Sequence, residues 1–237
     1  MSIKCSVCMA TYNGENHIHI QVTSIISQLS ENDEIIISDD HSTDNTIDIL
    51  KSFDDPRIKI FKNGSKRGPV GNFENALSKA SGDIIFLADQ DDEWLNNKVA
   101  THLNLHQMHY DLVLSDAIVT DEIGNVIFDS FFKERDSKPG ILNTLIKNSY
   151  IGCCMSFNKK MLDYALPFPP YIHMHDWWIG LIGEIKGKTI FCDKKLIYYV
   201  RHNNNASPTL GKSGYSVLKR IKNRIQLFYG MLFILLK

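Results

Sequence analysis

Blocks of apolar and polar positions alternate along the first half of the chain. Short apolar runs bounded by turn residues predict buried strands, whereas apolar residues three and four positions apart predict helices. Strands are predicted over residues 3–10, 34–38, 57–61 and 82–88, and helices over 15–29, 42–53 and 71–81. Because strands and helices alternate at this interval, we predict an α/β fold with a mostly parallel, Rossmann-like sheet covered by helices on both faces.

The second half of the chain is less regular and predicts shorter elements. Extended segments are predicted over residues 111–119, 125–128, 151–157, 189–192 and 196–201, and helices from Trp94 and over 141–148, 158–166 and 176–184, with a polar loop at 129–140. No linker divides the chain cleanly. We therefore expect one domain over residues 1–215, with a regular, ligand-binding half at 1–92 and a more variable half at 93–215 that carries a smaller extension.

Polar clusters follow three of the predicted strands, at the point where each strand ends. The clusters are Thr11, Tyr12 and Asn13, then Asp39 and Asp40, then Asp89 to Asp92. Ligands of parallel α/β sheets bind beyond the carboxyl ends of the strands. The three clusters are therefore expected to converge on one rim of the sheet.

Composition excludes several classes of protein. The 237 residues include 26 basic and 27 acidic side chains, which argues against a basic nucleic-acid-binding surface. No apolar run reaches the roughly 18 residues of a membrane span, and the N-terminus lacks the pattern of a signal peptide. Five cysteines form no paired framework, and Cys5 and Cys8 are interpreted as small buried thiols rather than as a zinc or redox pair. We expect a cytoplasmic protein without a nucleic-acid partner.

The acidic run Asp89, Asp91 and Asp92 is the sharpest candidate site. Carboxylates are the ligands that Mg²⁺ and Mn²⁺ prefer, often together with phosphates of a substrate. Three like charges at a strand end also repel one another unless a cation offsets them. The alternative is that Asp91 or Asp92 caps a helix that begins at Trp94.

Two further clusters in the first half have a functional and a structural interpretation. Asp40 can accept hydrogen bonds from a base or a ribose, or it can cap the following helix. Arg67 can bind phosphate oxygens, or it can belong to a solvated basic loop.

Two clusters in the second half are equally open. Asp176, beside Trp177 and Trp178, fits a general base whose pKa is raised by apolar surroundings, and the indole rings could stack on sugars or belong to the core. His175 with Asp176 could instead form the metal dyad of a phosphohydrolase. Arg201 and His202 could hold a diphosphate or form a plain turn.

Taken together, five motifs in order and spacing resemble family-2 glycosyltransferases of GT-A fold. The motifs are residues 9–15, 38–44, 87–95, 174–178 and 201–205. The resemblance is greatest to bacterial enzymes that add rhamnose, galactose or glucose during O-antigen and capsule assembly. It implies a nucleotide-binding half at 1–92 and an acceptor-binding half at 93–215.

The resemblance also implies roles for individual residues. The nucleotide-sugar site would comprise Thr11, Tyr12, Asn13, Glu15, Asp40, Arg67, Asn72, Asp89, Arg201 and His202. Asp89 and Asp91 would hold Mn²⁺ or Mg²⁺, and Asp176 would be the catalytic base. The acceptor pocket would comprise Gly152, Cys153, His175, Trp177 and Trp178. His175 departs from the pattern, because many relatives carry Glu at that position.

The implied reaction is a metal-dependent, inverting transfer of a hexose or deoxyhexose. The donor would be a UDP- or dTDP-linked sugar, with galactose or rhamnose favoured over glucose, and the acceptor a lipid-diphosphate-linked saccharide. Two alternatives stay open: a metal phosphohydrolase built on Asp91, Asp92, His175 and Asp176, and a nucleotide-sugar binder without catalysis.

Residues 216–237 form a separate pattern at the end of the chain. Lys219, Arg220, Lys222 and Arg224 precede an apolar stretch over 227–236 that is about half as long as a membrane span. This order is typical of an amphipathic helix lying on anionic lipid, which would place the protein on the inner face of the cell membrane. The alternative is that the helix packs against the domain.

Overall fold

The computed structural model describes residues 3–146, 148–202, 205 and 217–236. In the first half, strands β1 (Cys5–Thr11), β2 (Glu34–Asp39), β3 (Ile58–Lys62) and β4 (Ile84–Asp89) alternate with helices α1 (Ile18–Ile26), α2 (Thr46–Ser52) and α3 (Pro69–Leu77). The strands pair in parallel in the order β3-β2-β1-β4. Each element predicted for this half is present, with its ends shifted by a few residues.

The second half contains strands β5 (Glu93–Trp94), β6 (Leu112–Asp121), β7 (Val126–Phe128), β8 (Met155–Asn158) and β9 (Thr189–Arg201). Its helices are α4 (Lys98–Gln107), α5 (Phe131–Arg135), α6 (Ile141–Ile146), α7 (Leu162–Ala165), α8 (His175–Lys186) and α9 (Val217–Leu236). The sheet continues from β4 through β8, β6 and β9 to β5, and β7 pairs with β6. The longest ladders are parallel, while β8, β5 and β7 pair antiparallel, so the predicted α/β fold with a mostly parallel sheet is confirmed.

The segment around Trp94 is a correction to the sequence analysis. Glu93 and Trp94 form a short strand on β9 instead of opening a helix, and α4 begins only at Lys98, after Asn97 in the left-handed region at a φ of 68°. Asp91 and Asp92 therefore do not cap a helix at Trp94. The buried Asp92 instead accepts a hydrogen bond from the backbone N–H of Val200 at 3.1 Å.

Three other elements of the second half also differ from prediction. The segment 129–140 contains α5, whose first turn is capped by Ser130, with its hydroxyl 3.1 Å from the N–H of Lys133. The two late strands are one strand, β9, because the polar residues 193–195 lie at an irregularity in its pairing with β6 rather than in a turn. Gly152–Cys154 is a 3₁₀ turn, so only Met155–Asn158 of the extended segment is a strand.

Helix α9 packs on α8 and α6 and also displays an apolar face. Leu227, Gly230 and Ile234 are buried, and Gly230 lies against the ring of Trp178, where a Cβ would come within 2.5 Å. On another face, six apolar side chains recur at alternating spacings of three and four and are exposed: Leu218, Ile221, Ile225, Phe228, Leu232 and Leu235. We call these six the apolar stripe of α9.

Across the described ranges, none of the helices combines the length and the apolar character needed to cross a bilayer.

Candidate active site

A cleft of about 240 Å³ opens where β1, β2 and β4 end, and residues from both halves of the chain line it. The sheet's parallel topology brings the predicted polar clusters together there. Of the predicted site residues, the cleft is lined by Thr11, Tyr12, Asp40, Asn72, Asp89, Asp91, Gly152, His175 and Asp176. Nine of the predicted site residues, the base candidate Asp176 among them, thus share one cavity.

Asp40 and Asn72 are held rigidly on the wall of the cleft formed by the first half. The Asp40 carboxylate accepts hydrogen bonds from Asn63 Nδ2 and from the backbone N–H of Gly68, both at 2.8 Å. Asn72 Nδ2 donates to the carbonyl of Thr11 at 3.0 Å, while Asn72 Oδ1 is buried without a hydrogen-bond partner. A buried acceptor without a partner is costly, so Asn72 Oδ1 is available for a donor group of a ligand.

Asn13 and Glu15 lie beside the cleft but do not line it. Asn13 Oδ1 accepts from the N–H of Thr43 at 2.8 Å, and Glu15 Oε2 accepts from the N–H of Asn45 at 3.0 Å. Both side chains therefore fix the loop between β2 and α2, whose start carries Asp40. In this structure they support the rim rather than face a ligand.

The two predicted phosphate-binding arginines also lie outside the lining. Arg67 is exposed next to Gly68, which does line the cleft. Arg201 Nη1 donates to the hydroxyl of Tyr199 at 3.2 Å, and Tyr199 lines the cleft. Both guanidinium groups are therefore close in sequence to the lining, but the structure does not place either side chain in it.

The side chains of the acidic run point in two directions. Asp91 lies on the cleft, where its Oδ2 accepts from His202 Nε2 at 2.7 Å and from Asn205 Nδ2 at 3.2 Å. Asp92 turns into the protein, with Oδ2 buried and unpaired. Burial, and then the charges of Asp91 and Asp176, raise the pKa of Asp89 to about 8. The centre of the cleft is therefore short of positive charge.

These residues fit a divalent cation. Oxygen atoms of Asp89 and Asp92 and the sulfur of Cys153 lie within 4.8 Å of one another, and Asp91 is the remaining carboxylate of the run. Hard cations such as Mg²⁺ and Mn²⁺ prefer the carboxylates over the thiol, whose pKa burial raises well above its usual value. A cation would also offset the repulsion that raises the pKa of Asp89. Of the two predicted metal ligands, Asp89 belongs to this group and Asp91 lines the cleft beside it, so the pair Asp89 and Asp91 stays a prediction.

Asp176 lies in the first turn of α8 and faces the cleft from the second half. Its Oδ1 accepts from the N–H of Trp177 at 2.6 Å. Burial raises the pKa of Asp176 to about 6, although hydrogen bonds from Trp177, Asn148 and Gly152 act against this shift. At neutral pH the carboxylate is mostly ionised and basic enough to accept a proton from a hydroxyl.

His175 is a neutral side chain on the same wall. Its ring stacks on Phe73 with centroids 3.9 Å apart, and both ring nitrogens are buried without hydrogen-bond partners. Burial lowers the pKa of His175 to about 3. Gly152 lies so close that a Cβ there would come within 2.9 Å of His175 Nε2. Gly152 therefore leaves room for the buried imidazole, and His175 adds no charge to this wall of the cleft.

The other three predicted acceptor residues lie behind the cleft. Trp178 is 1% exposed and donates from Nε1 to the carbonyl of Ala165 at 3.1 Å, so it is a core residue on which no sugar can stack. Trp177 is half-buried and donates to the carbonyl of Thr144 at 2.6 Å. Cys153 is fully buried. On α8, helical spacing turns Trp177 and Trp178 away from the cavity that Asp176 faces, whereas Cys153 is buried in the separate 3₁₀ turn.

Sequence reasoning missed several residues that build the site. Gln90 clamps the backbone of Tyr12, accepting from its N–H at 2.9 Å and donating to its carbonyl at 3.0 Å, and Gln21 Nε2 donates to the carbonyl of Asp89 at 2.7 Å. Lys98 is fully buried and donates to the carbonyl of Cys153 at 3.1 Å. Only Gln90 carried a signal, because it stands between the two cleft-facing aspartates. A lysine in a predicted helix gives no hint of burial.

The structure does not support the metal dyad of His175 and Asp176 that the phosphohydrolase alternative needs. In the part of the chain that the structure describes, the group of potential ligands is Asp89, Asp92 and Cys153, and His175 is not part of it. His175 instead stacks on Phe73.

Comparisons with known proteins agree with this geometry. The model of the family described as "Glycosyl transferase family 2" matches residues 6–165. The Escherichia coli enzyme WfaP, named UDP-Glc:alpha-D-GlcNAc-diphosphoundecaprenol beta-1,3-glucosyltransferase, is 39% identical over 190 residues, 76% of this chain and 70% of its own. WfgD of the same species and of the same named activity is 28% identical over 197 residues, 79% of this chain and 73% of its own.

A solved structure supports the fold. The crystal structure of S. aureus TarS 1-349 in complex with UDP-GlcNAc superposes with a TM-score of 0.73 at 21% identity, covering 95% of this chain and 65% of the TarS chain. At this identity the likeness shows the fold, and the predicted GT-A architecture is confirmed. The chain therefore spans about two thirds of the TarS chain and somewhat more of the two curated relatives.

Proposed function

Because the chain belongs to glycosyl transferase family 2, we propose that it moves a hexose or deoxyhexose from a nucleotide sugar to a saccharide carried on a lipid diphosphate. Family membership makes it a nucleotide-sugar-dependent glycosyltransferase. The donor, the acceptor, the cation and the place of action are the parts that we propose.

One observation supports this function best: a single cleft has Asp89 and Asp91 on one wall and Asp176 on another. Transfer from a nucleotide sugar needs negative charge to be offset at the departing diphosphate and a base at the attacking hydroxyl. A cation held by Asp89 and Asp91, Mn²⁺ or Mg²⁺, would supply the first of these when bound. Asp176, with its pKa raised to about 6, supplies the second.

The chain's own residues then divide the work. Asp40 accepts hydrogen bonds from the base or ribose of the donor, and the unpaired Asn72 Oδ1 offers a second acceptor nearby. Asp176 takes the proton of the acceptor hydroxyl as that oxygen attacks the anomeric carbon. The bond from the anomeric carbon to the diphosphate oxygen breaks, and the anomeric centre inverts because the displacement is single.

Glucose is the first donor sugar to test. The names of WfaP and WfgD both specify UDP-Glc and an acceptor with α-D-GlcNAc on diphosphoundecaprenol. The sequence analysis favoured galactose or rhamnose within the same class, so UDP-galactose and dTDP-rhamnose are the next candidates. The residues of the cleft do not rank these three sugars.

We also propose that the protein acts at a membrane surface, on its cytoplasmic side. The apolar stripe of α9 is exposed, and Lys219 and Lys222 are exposed on the same helix. Residues 217–236 contain no acidic residue, so the helix is complementary to an anionic lipid surface. This location suits an acceptor whose lipid is embedded in the bilayer.

A donor screen tests the proposed reaction. Purified protein with Mn²⁺ or Mg²⁺ is offered each nucleotide sugar with a synthetic lipid-diphosphate GlcNAc acceptor. We expect transfer from one donor, lost on addition of EDTA and in Asp91→Ala. Asp176→Asn should keep donor binding and lose transfer by 10²-fold or more, the usual contribution of a general base. Donor binding without any transfer by the unmodified protein would instead identify a binder without catalysis.

A further inference from the structure

A second cavity of about 360 Å³ lies between the start of α9 and the segment that leads into α8. We call it the basic groove. Its polar lining comes from His173 on one side and from Lys219, Lys222, Asn223 and Gln226 on the other. In the described lining there is no carboxylate, so its charged groups are positive, while the Tyr171 hydroxyl and the amides of Asn223 and Gln226 can both donate and accept hydrogen bonds.

The basic groove and the active-site cleft share one short piece of backbone. Tyr171, Ile172 and His173 line the groove, whereas Met174, His175 and Asp176 line the cleft. Successive Cα atoms are about 3.8 Å apart, so the groove begins within three residues of the proposed base. The Cα atoms of His173 and Asp176 are therefore at most about 11 Å apart, a span that one sugar ring with its attached phosphate can bridge.

The charges in the groove lie close to one another. Burial, and then the positive charge of Lys219, lower the pKa of His173. Lys222 lies one helical turn beyond Lys219, so their ammonium groups project from neighbouring positions of α9. An anion with two phosphate groups can contact both lysines at once.

The groove is also continuous with the apolar stripe of α9. Leu218 is the first residue of that stripe, is 80% exposed and lines the groove. From Leu218 the stripe runs along the helix to Leu235. The proposed base Asp176, the basic groove and the apolar stripe therefore follow one another along the surface.

We propose that the basic groove binds the diphosphate of the lipid-linked acceptor, with the acceptor sugar at Asp176 and the lipid along the apolar stripe. This inference rests on the proposed function, which it deepens by assigning the acceptor's diphosphate to a site. Phospholipid headgroups share the phosphate chemistry. We commit to the acceptor's diphosphate because the groove adjoins the cleft, and a bilayer headgroup need not reach Asp176.

Binding of two matched acceptors tests the proposal. One is GlcNAc-diphosphate on a long alkyl chain, and the other is GlcNAc joined to the same chain without phosphate. Both are titrated in uncharged detergent micelles against the full chain and against Lys219→Ala/Lys222→Ala. We expect the double substitution to weaken binding of the diphosphate acceptor by about tenfold or more, because two charge-assisted contacts are lost, and to leave binding of the neutral acceptor unchanged.

Two control variants separate the groove from net charge. Lys219→Arg/Lys222→Arg should retain binding of the diphosphate acceptor. Lys51→Ala/Lys133→Ala removes two exposed lysines from other helices and should change neither acceptor. An equal loss for both acceptors, or no loss for either, would overturn the assignment.

Two further measurements distinguish the remaining explanations. If the alanine variant weakens binding only to vesicles containing phosphatidylglycerol and not to the acceptor in micelles, the groove binds headgroups and the proposal is wrong. Turnover with the best donor is measured in parallel. Selective diphosphate binding without transfer would support the groove and contradict the proposed function. Transfer by the alanine variant with an unaltered KM for the acceptor would support the proposed function and contradict the groove.

Discussion

Burial and local hydrogen bonds act on Asp176 in opposite directions. Burial disfavours the ionised carboxylate, whereas the N–H of Trp177 and the N-terminal end of α8 favour it. The balance raises the pKa to about 6, against an ordinary value of 3.8. That value lies close enough to neutrality for an effective base that is still mostly ionised at pH 7.

The pH dependence of transfer follows from this shift. Because the carboxylate is the active form and its pKa is raised, kcat/KM should be level above about pH 7 and fall towards tenfold per pH unit below about pH 6. Initial rates with cation and donor saturating, between pH 5 and 8, measure the profile. Circular dichroism at each pH controls for unfolding, and a level profile down to pH 5 would rule out Asp176 as the titrating base.

Substitution of Lys98 tests how the protein supports the segment around the acidic run. Its ammonium group is fully buried, donates to the carbonyl of Cys153 and lies 5.1 Å from the centre of the Trp94 ring. Lys98→Met keeps the apolar stem but leaves that carbonyl without its donor. We expect the free energy of unfolding to fall by about 1–3 kcal/mol. Urea denaturation measures it, with exposed Lys51→Met as the control and an unchanged midpoint as the contrary result.

At the level of elements, the regular half was predictable and the second half was less so. Each of β1, β2 and β4 is an apolar run buried on both faces, and such runs signal parallel strands covered by helices. Strand β5 has two residues and depends on β9, more than a hundred positions away. Local patterns cannot report such a partner. For the same reason two late strands were predicted where the structure has the single strand β9, because the polar residues of a bulge resemble those of a turn.

Helix α9 bears on two interpretations of one pattern, of which packing on the domain is observed and membrane binding stays a prediction. Packing on the domain was the alternative to a membrane-facing tail, and the structure has one face of α9 packed and another exposed. The basic and apolar composition predicted an amphipathic helix. Only the tertiary contacts reveal which apolar side chains belong to the core.

Gly230 tests the packing of α9. Alanine normally favours a helix over glycine by about 1 kcal/mol, but a Cβ at Gly230 would lie 2.5 Å from the buried ring of Trp178. Overpacking of this kind costs about 1–3 kcal/mol, so Gly230→Ala should lower the Tm. The exposed neighbour Tyr229, changed to Ala, should leave it nearly unchanged. A Tm raised by Gly230→Ala would mean that α9 does not pack on Trp178.

At the scale of the whole molecule, the apolar stripe predicts attachment to anionic bilayers. Removing residues 217–237 would be an ambiguous test, because it would also uncover Trp178 and the buried side of α9. Ile225→Gln/Phe228→Gln changes only exposed positions, and it should reduce co-sedimentation with phosphatidylglycerol vesicles severalfold. Ile123→Gln/Val126→Gln removes two exposed apolar side chains elsewhere and serves as the control. Equal binding by both double variants would argue against the stripe.

The site was predictable to the extent that its residues stand directly after strands. Thr11, Asp40, Asp89 and Asp91 follow the ends of parallel strands, and a parallel sheet brings such positions to one rim. Trp178 shows the limit of this reasoning. It lies two residues after Asp176 on the same helix. Two such positions on a helix are rotated by about 200° from one another, so Trp178 points to nearly the opposite side of α8 and lies in the core.

The anomeric configuration of the product tests the central claim most directly. In the proposed reaction one carboxylate acts as base and the displacement is single, so the new glycosidic bond must have the configuration opposite to that of the donor. NMR coupling constants of the product formed from UDP-glucose, or from whichever donor the screen selects, give this configuration. With α-linked UDP-glucose, single displacement gives a β-linked product, which should be absent with Asp176→Asn. An α-linked product would contradict it, because retention requires a second displacement that Asp176 as a base does not provide.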